Sequence, residues 1–464
     1  MSVQVNFYLI TLSLYSLGLM ALGVWLGRRV RGTSDFFVAG RQLGPGLIFS
    51  TMLAANIGAG STVGATAIGY VAGLSAWWWV GSAAIGSVAL ALWIGPAIRR
   101  VAAAHDLRTV GDYLEFRYNA TIRGIVAALL WVGSLFILAG QLVAIGSILE
   151  TVAHIPAAVG CLIGGAVIMV YFAAGGLSSS ARVNAVQLAV KLGGFAIAVP
   201  VALAAVGGWS ALSRVDAGDA AFSHFWRLGP PGVMYVALLT PSFIISPGLL
   251  QKIFGARDER AVRLGVGLNA AGLFLYAGVP ALLGIVAHRR FPDLSSPNDA
   301  LPTVLVFLLP PAIGAIGLAA VFSAEISASD AVLFMLTTSL SEDLYKRLVR
   351  PAASDAEILR VARWTTVIAA SLAVAIAVSL GSVVDALTIF YTLLTVSLFV
   401  PVVGGLFVAR TESRGALISI LSGMTAMLTL QVATGGRGWM FVTPAFGGLI
   451  AAVAAWLGAL WLTH

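Results

Sequence analysis

Three stretches place ionisable and hydroxyl side chains inside long apolar runs. FSAEISASD, Phe322 to Asp330, carries Glu325, Asp330, Ser327 and Ser329. NAVQLAVKLGGF carries Asn184 and, two helical turns on, Lys191. LAANIGAGSTVGA, Leu53 to Ala65, carries Asn56, Ser61, Thr62 and three glycines. Ionisable groups at membrane depth are expensive and mark ion or substrate paths. Gly58 and Gly60 weaken a helix, and broken backbone at that depth survives where it lines a cavity. The freed carbonyls, with the Ser327 hydroxyl one turn from Ala324, are the oxygen donors that a hard cation takes. Each feature also has a plainer use. Small residues let membrane helices cross closely, serines back-bond to their own helix, and Asp330 can pair with another helix. Lys191 either snorkels to the cytoplasmic interface or turns inward to Glu325.

A second interruption follows five spans after the first. TPSFIISPG places Pro241 and Pro247 in another apolar run, and proline removes a backbone donor. Interrupted helices at matching places in two halves point to a transporter binding site at their interface. Trp77, Trp78 and Trp79 open one span at its outer end, where aromatic belts form, and one of them can close over a solute. FYTLLTVS adds the Tyr391 hydroxyl at depth.

The elements that must position these groups are membrane helices. The chain has 464 residues, 59% hydrophobic and 10% charged, with mean hydropathy +0.97. That composition excludes an ordinary soluble domain. A span needs about 20 apolar residues. The expectation is thirteen, near 5–27, 44–70, 74–98, 122–148, 155–174, 184–207, 231–252, 263–287, 310–342, 361–380, 384–409, 414–434 and 440–462. The first reads as a retained helix and not a signal peptide.

The net charge of +8 comes largely from short loops. Arg28, Arg29, Arg31 and Arg41 follow the first span; Lys252, Arg257, Arg260 and Arg263 follow the seventh; Lys346, Arg347 and Arg350 follow the ninth. The positive-inside rule then puts the N-terminus outside and the C-terminus in the cytoplasm of a multi-pass plasma-membrane protein. Topology accounts for the basic residues, so no nucleic-acid partner is expected. Cys161 is the only cysteine, the five histidines are scattered, and no Walker loop occurs. A cysteine metal cluster, ATP-driven transport and enzymatic catalysis therefore have no supporting constellation. No repeated filter loop suggests a channel.

Four stretches together resemble the sodium:solute symporter family. They are SDFFVAGRQLGP (Ser34 to Pro45), LAANIGAGSTVG, GGLSSSARVNAVQ (Gly175 to Gln187) and AAVFSAEISASD with SEDLYKR (Ala319 to Arg347). They occur in the family's order, over residues 5 to 410. The resemblance implies an all-α LeuT-type fold with a 5+5 inverted repeat. The whole of 1–464 would be one transporter domain. It would comprise a peripheral first helix and loop (1–43), two repeats (44–207 and 231–410) and peripheral C-terminal helices (411–464). It also implies sodium-coupled symport of a small polar organic solute by alternating access, in contact with membrane lipid. No organic cofactor is implied.

By matching positions, sodium would sit on the carbonyls of Ala54, Ile57 and Ala324 and the side chain of Ser327. Ala328 stands where the family has a second hydroxyl. The solute would lie near Gly58, Gly60 and Ser61, Trp78, the Ser242 to Ser246 break and Tyr391. Asn184 stands where the family often has an aspartate on the sodium exit path, with Lys191, Glu325 and Asp330 further along it. These departures leave a second coupling open, in which Lys191 occupies the sodium position and coupling is to protons or to no ion. A membrane solute sensor is the remaining alternative, with no signalling domain expected beyond the thirteenth span.

Overall fold

The computed structural model describes residues 2–27, 41–173, 177–208, 224–410, 412–436, 438–439 and 442–462. Ser34 to Gly40 of the first loop, Gly175 and Gly176, the outer loop 209–223 with Arg214, and Arg28, Arg29 and Arg31 lie outside the described residues. The regular structure of the described residues is helical, apart from isolated bridges pairing Leu43 with Ala256 and Trp439 with Val442.

Helix α1 is Ser2–Gly27. Helix α2, Pro45–Asn56, begins on proline, whose missing N–H falls where a helix leaves it unused. The chain then breaks, passes a wide turn at Gly60–Gly64, and resumes as α3, Ala65–Ala72. Next come α4 (Trp77–Ala89), α5 (Gly95–Ala104) and the short α6 (Val110–Arg117). A reciprocal Thr109–Asp112 capping box starts α6. Long helices α7 (Ala120–Ala153), α8 (Ala157–Ala173) and α9 (Leu177–Ala205) complete the first half.

The second half opens with α10 (Pro230–Ile245), breaks at Ser246, and continues as α11 (Pro247–Phe254). It runs on through α12 (Glu259–Tyr276), α13 (Gly278–Arg290), α14 (Pro311–Thr338), α15 (Asp355–Leu380) and α16 (Val383–Phe399). Helices α17 (Ser413–Thr434) and α18 (Pro444–Leu462) pair with each other and lean on α16.

Among the described residues, ten helical runs are long and apolar enough to cross a membrane. Phe7–Leu19 and Ala157–Met169 are shorter apolar helices. Thirteen separate long runs do not emerge. One reason is that Gly73–Ala76 is itself a tight helical turn, so Gly60–Ala104 registers as one run, although its 45 residues break at Gly73 and are long enough for two crossings.

The packing order brings the two breaks together. Helix α9 packs on α2 and α14, α7 on α14 and α16, and α10 on α4 and α16. Helix α14 is the most enclosed, buried from Leu318 to Asp330, so its polar residues need protein partners.

Candidate functional site

Lys191 lies wholly buried in the interior. Its Nζ donates to Ala54 O at 2.5 Å, to Ile57 O at 3.0 Å and to Ser327 Oγ. An ammonium has three donors, and all three are used. Ser327 Oγ lies 2.9 Å from Ala54 O and 3.2 Å from Ala324 O. Three of the four oxygens that the family resemblance assigned to sodium therefore hold a lysine ammonium, and the fourth, Ala324 O, accepts from Ser327. They come together because α2 ends at Asn56 and its last carbonyls have no amide above them. Helices α9 and α14 supply the cation and the hydroxyl.

The rest of the first break is stitched from outside and within. Gln141 Oε1 on α7 accepts the Ala59 amide at 2.9 Å, and Ser61 Oγ accepts the Gly58 amide at 3.1 Å. The Thr62 hydroxyl sits 2.9 Å from Gly58 O and 2.7 Å from Glu325 Oε1. Its one proton serves one of them at a time. Glu325 Oε2 is buried with no hydrogen-bond partner among the described residues. Lys191 and Glu325 are close enough to interact electrostatically. Gly58 has no room for a side chain, because a Cβ there would collide with Ala328 and come within 2.9 Å of Gln141 Oε1.

A cavity of about 70 Å³ lies beside this cluster. Gly58, Gly60, Ser61, Ala328, Ser246 and Tyr391 line it, so those predicted positions meet in one place. Two others do not join them. Trp78 turns outward, donating Nε1–H to Phe225 O and stacking on Trp226; its neighbour Trp79 faces the cavity. Ser242 is tied to Leu238 O, Tyr391 O and Thr395 Oγ1, which fixes α10 to α16. Asn184 and Asp330 are buried away from the cavity lining.

Sequence reasoning missed Gln141 and Lys252, and chose Trp78 from the three tryptophans where Trp79 lines the cavity. Lys252 is the one charged side chain among the lining residues; it is 4% exposed, and its Nζ donates to Gly248 O at 2.9 Å. Met335 lines both this cavity and a second of about 20 Å³ nearer Asp343, with its Sδ against Gly248.

Beyond the second cavity, Arg123 joins Asp112 at 2.9 Å, Glu115 at 2.9 Å and Asp343 at 2.6 Å. Thr109 Oγ1 donates to Asp343 at 2.9 Å. Burial pushes the Glu115 carboxyl up, but hydrogen bonds from Arg347 and Arg123 and their charges outweigh it and hold it below its ordinary value. This network ties α6 and α7 to the wide helical segment Ser339–Val349 that continues α14.

Two broken helices crossing at a buried cavity, within a bundle of long apolar helices, define a multi-pass membrane transporter of the LeuT-like class. The sodium:solute symporter family profile matches residues 36–423. The chain belongs to that family. It is 27% identical to the "Sodium/glucose cotransporter" of Vibrio parahaemolyticus, covering 90% of this chain and 84% of that protein. It is 26% identical to the "Sodium/pantothenate symporter" of Escherichia coli, covering 85% and 84%. The solved structure of a Na+-coupled sialic acid symporter in a substrate-bound outward-open state superposes with TM-score 0.82 at 17% identity, covering 98% of each chain, so the fold is shared.

Proposed function

We propose that this chain is a secondary active transporter that moves a small polar organic solute across the plasma membrane by alternating access, with the Lys191 ammonium held where the family holds sodium. The thirteen crossings, the 5+5 repeat with its stated boundaries, the outside N-terminus and the cytoplasmic C-terminus belong to this reading. Gly58, Gly60, Ser61, Ser246 and Tyr391 would contact the solute, with Trp79 in the role first given to Trp78. The observation that carries the reading is the triple engagement of Lys191 by Ala54 O, Ile57 O and Ser327 Oγ.

Electrostatics supports an exclusive choice between lysine and sodium. Two unit charges 4 Å apart repel by about 4 kcal/mol at an effective dielectric of 20. Sodium on the same oxygens would meet a charged lysine closer than that. Coupling would then follow the lysine: loss of its proton or withdrawal of its ammonium would release α2 from α14 and change which state is favoured. Glu325 is the neighbouring group able to exchange charge with it.

A second reading is sodium-coupled symport, favoured by the names of the relatives in Vibrio and Escherichia coli. It requires Lys191 to leave the oxygens when sodium arrives. The two readings separate in one measurement on the purified protein: thermal unfolding in NaCl against KCl at matched ionic strength, from pH 5.5 to 8.5. A ligand of the native state raises the unfolding temperature saturably. The lysine reading expects equal curves in the two salts; a saturable sodium-specific rise in the wild type would reject it.

A further inference from the structure

We infer that the solute is a small monocarboxylate with an apolar tail, its carboxylate bound by Lys252 and its tail lying on Trp79, Phe243, Phe390 and Tyr391. This rests on the transporter reading above and names the solute class for the same cavity.

Lys252 is the starting point. Its ammonium sits at the Gly248 carbonyl, beside the Ser246 break, in the wall of the central cavity. That single carbonyl leaves donors for a ligand. Asp330 interacts with it electrostatically from α14 and supplies the countercharge that keeps a cation tolerable at this depth. No acidic side chain lines the cavity among the described residues, so a cationic solute would meet a like charge and no partner.

A helix break usually offers an anion its backbone amides. Here the first break does not, because Ser61 and Gln141 already take the Gly58 and Ala59 amides. Lys191 is committed to its three oxygens as well. Lys252 is the one charged side chain in the lining, and so the cation placed to meet an anion there.

The opposite wall is aromatic. Tyr391 lies with ring centroids 5.7 Å from Phe243, 5.2 Å from Phe390 and 6.4 Å from Trp79. Such a surface takes hydrocarbon or a flat ring, and the polar lining residues Asn56, Ser61 and Gln141 are already bonded within the protein, which leaves a sugar's hydroxyls few open partners. At about 70 Å³ the cavity suits a short tail; drug-sized sites run to roughly 300 Å³ and more.

The test uses matched acids and amides on the full-length protein in detergent, at constant pH and ionic strength. Butyrate and phenylacetate are compared with butyramide, phenylacetamide, glucose and choline by thermal unfolding, in the wild type, Lys252→Gln and Lys252→Arg. The acids should raise the unfolding temperature saturably and the amides should not. Lys252→Gln should weaken the acids by about tenfold or more, the loss expected for a hydrogen bond to a charged group, and Lys252→Arg should retain them. If Lys252→Gln does not fold, the acid-to-amide difference in the wild type and Lys252→Arg decides. Equal effects of acids and amides, silence from both acids, or an undiminished acid response in Lys252→Gln would overturn the assignment. Uptake of choline or glucose into proteoliposomes alongside such a result would reject the carboxylate while leaving the transporter intact.

Discussion

Lys191 and Lys252 are two lysines in one membrane interior, each almost wholly buried, and they are held in opposite ways. Lys191 reaches across from α9 and closes all three donors on oxygens of α2 and α14. Lys252 folds back along its own helix to the Gly248 carbonyl and faces a cavity. The first is part of the structure's wiring, a cation built into the chain. The second is a cation kept ready for something from outside. The same side chain thus does two jobs, and what separates them is the number of partners already in place.

The largest expected effect tests the wiring. Lys191→Met leaves Ala54 O, Ile57 O and Ser327 without their cation and Glu325 without its countercharge. Each hydrogen bond from a charged group is worth about 1.5–3 kcal/mol and three are lost at once, so a drop of several kcal/mol is expected in denaturant or thermal unfolding. A loss below 1 kcal/mol would place Lys191 among ordinary core residues. Lys252→Met in an Asp330→Asn background should lose only about 1 kcal/mol, the value of one net hydrogen bond. A double-variant loss equal to that of Lys191→Met would erase the contrast between the two lysines.

A further variant sharpens the comparison by rebuilding the family's site. Lys191→Ala with Ala328→Ser opens the oxygens and adds a hydroxyl beside Gly58. This variant should acquire a saturable sodium-specific rise in unfolding temperature that the wild type lacks, about 2.7 kcal/mol at a hundredfold excess over Kd. Identical curves in NaCl and KCl would mean that the oxygens do not form a sodium site once the lysine is gone. A small effect, of the same order as that of Lys252→Met, belongs to Thr62→Val, which removes the hydroxyl shared by Gly58 O and Glu325. A loss of about 1–2 kcal/mol is expected, visible as a lower unfolding temperature, and no change would show that Glu325 does not depend on that contact.

Much of this was legible in the sequence, for reasons that differ by residue. Gly58, Gly60 and Pro247 interrupt apolar runs, and an interruption is visible locally. Lys191 and Glu325 are charges in hydrocarbon-like sequence and stand out against it. The inward fate of Lys191 was one of two open choices, since a lysine near a helix end reads equally as a snorkel. Lys252 was hidden by its neighbours: it begins a run of bases with Arg257, Arg260 and Arg263, and the positive-inside rule absorbed it into a loop.

The choice among Trp77, Trp78 and Trp79 depends on helix phase, which advances about 100° per residue. Three adjacent tryptophans point three ways, and only the packing of α4 against α10 selects Trp79. Gln141 carries no local signal at all, because its partner Ala59 is 82 residues away in the chain. The family resemblance grouped Ala54, Ile57 and Ser327, and the structure brings these three together around the Lys191 ammonium. The span count is harder to read from the helices: Gly60–Ala104 runs on through the four-residue turn Gly73–Ala76, yet its 45 residues are enough for two crossings.

Met335 has a wider significance than its packing suggests. A single unbranched thioether stands between two small spaces, and thioethers rearrange easily among rotamers. Such a partition is a soft valve: tight against water while the chain is at rest, yet cheap to displace when α11 and α14 shift. A path joining the two spaces would have to displace this side chain, which packs on the same Gly248 whose carbonyl holds Lys252.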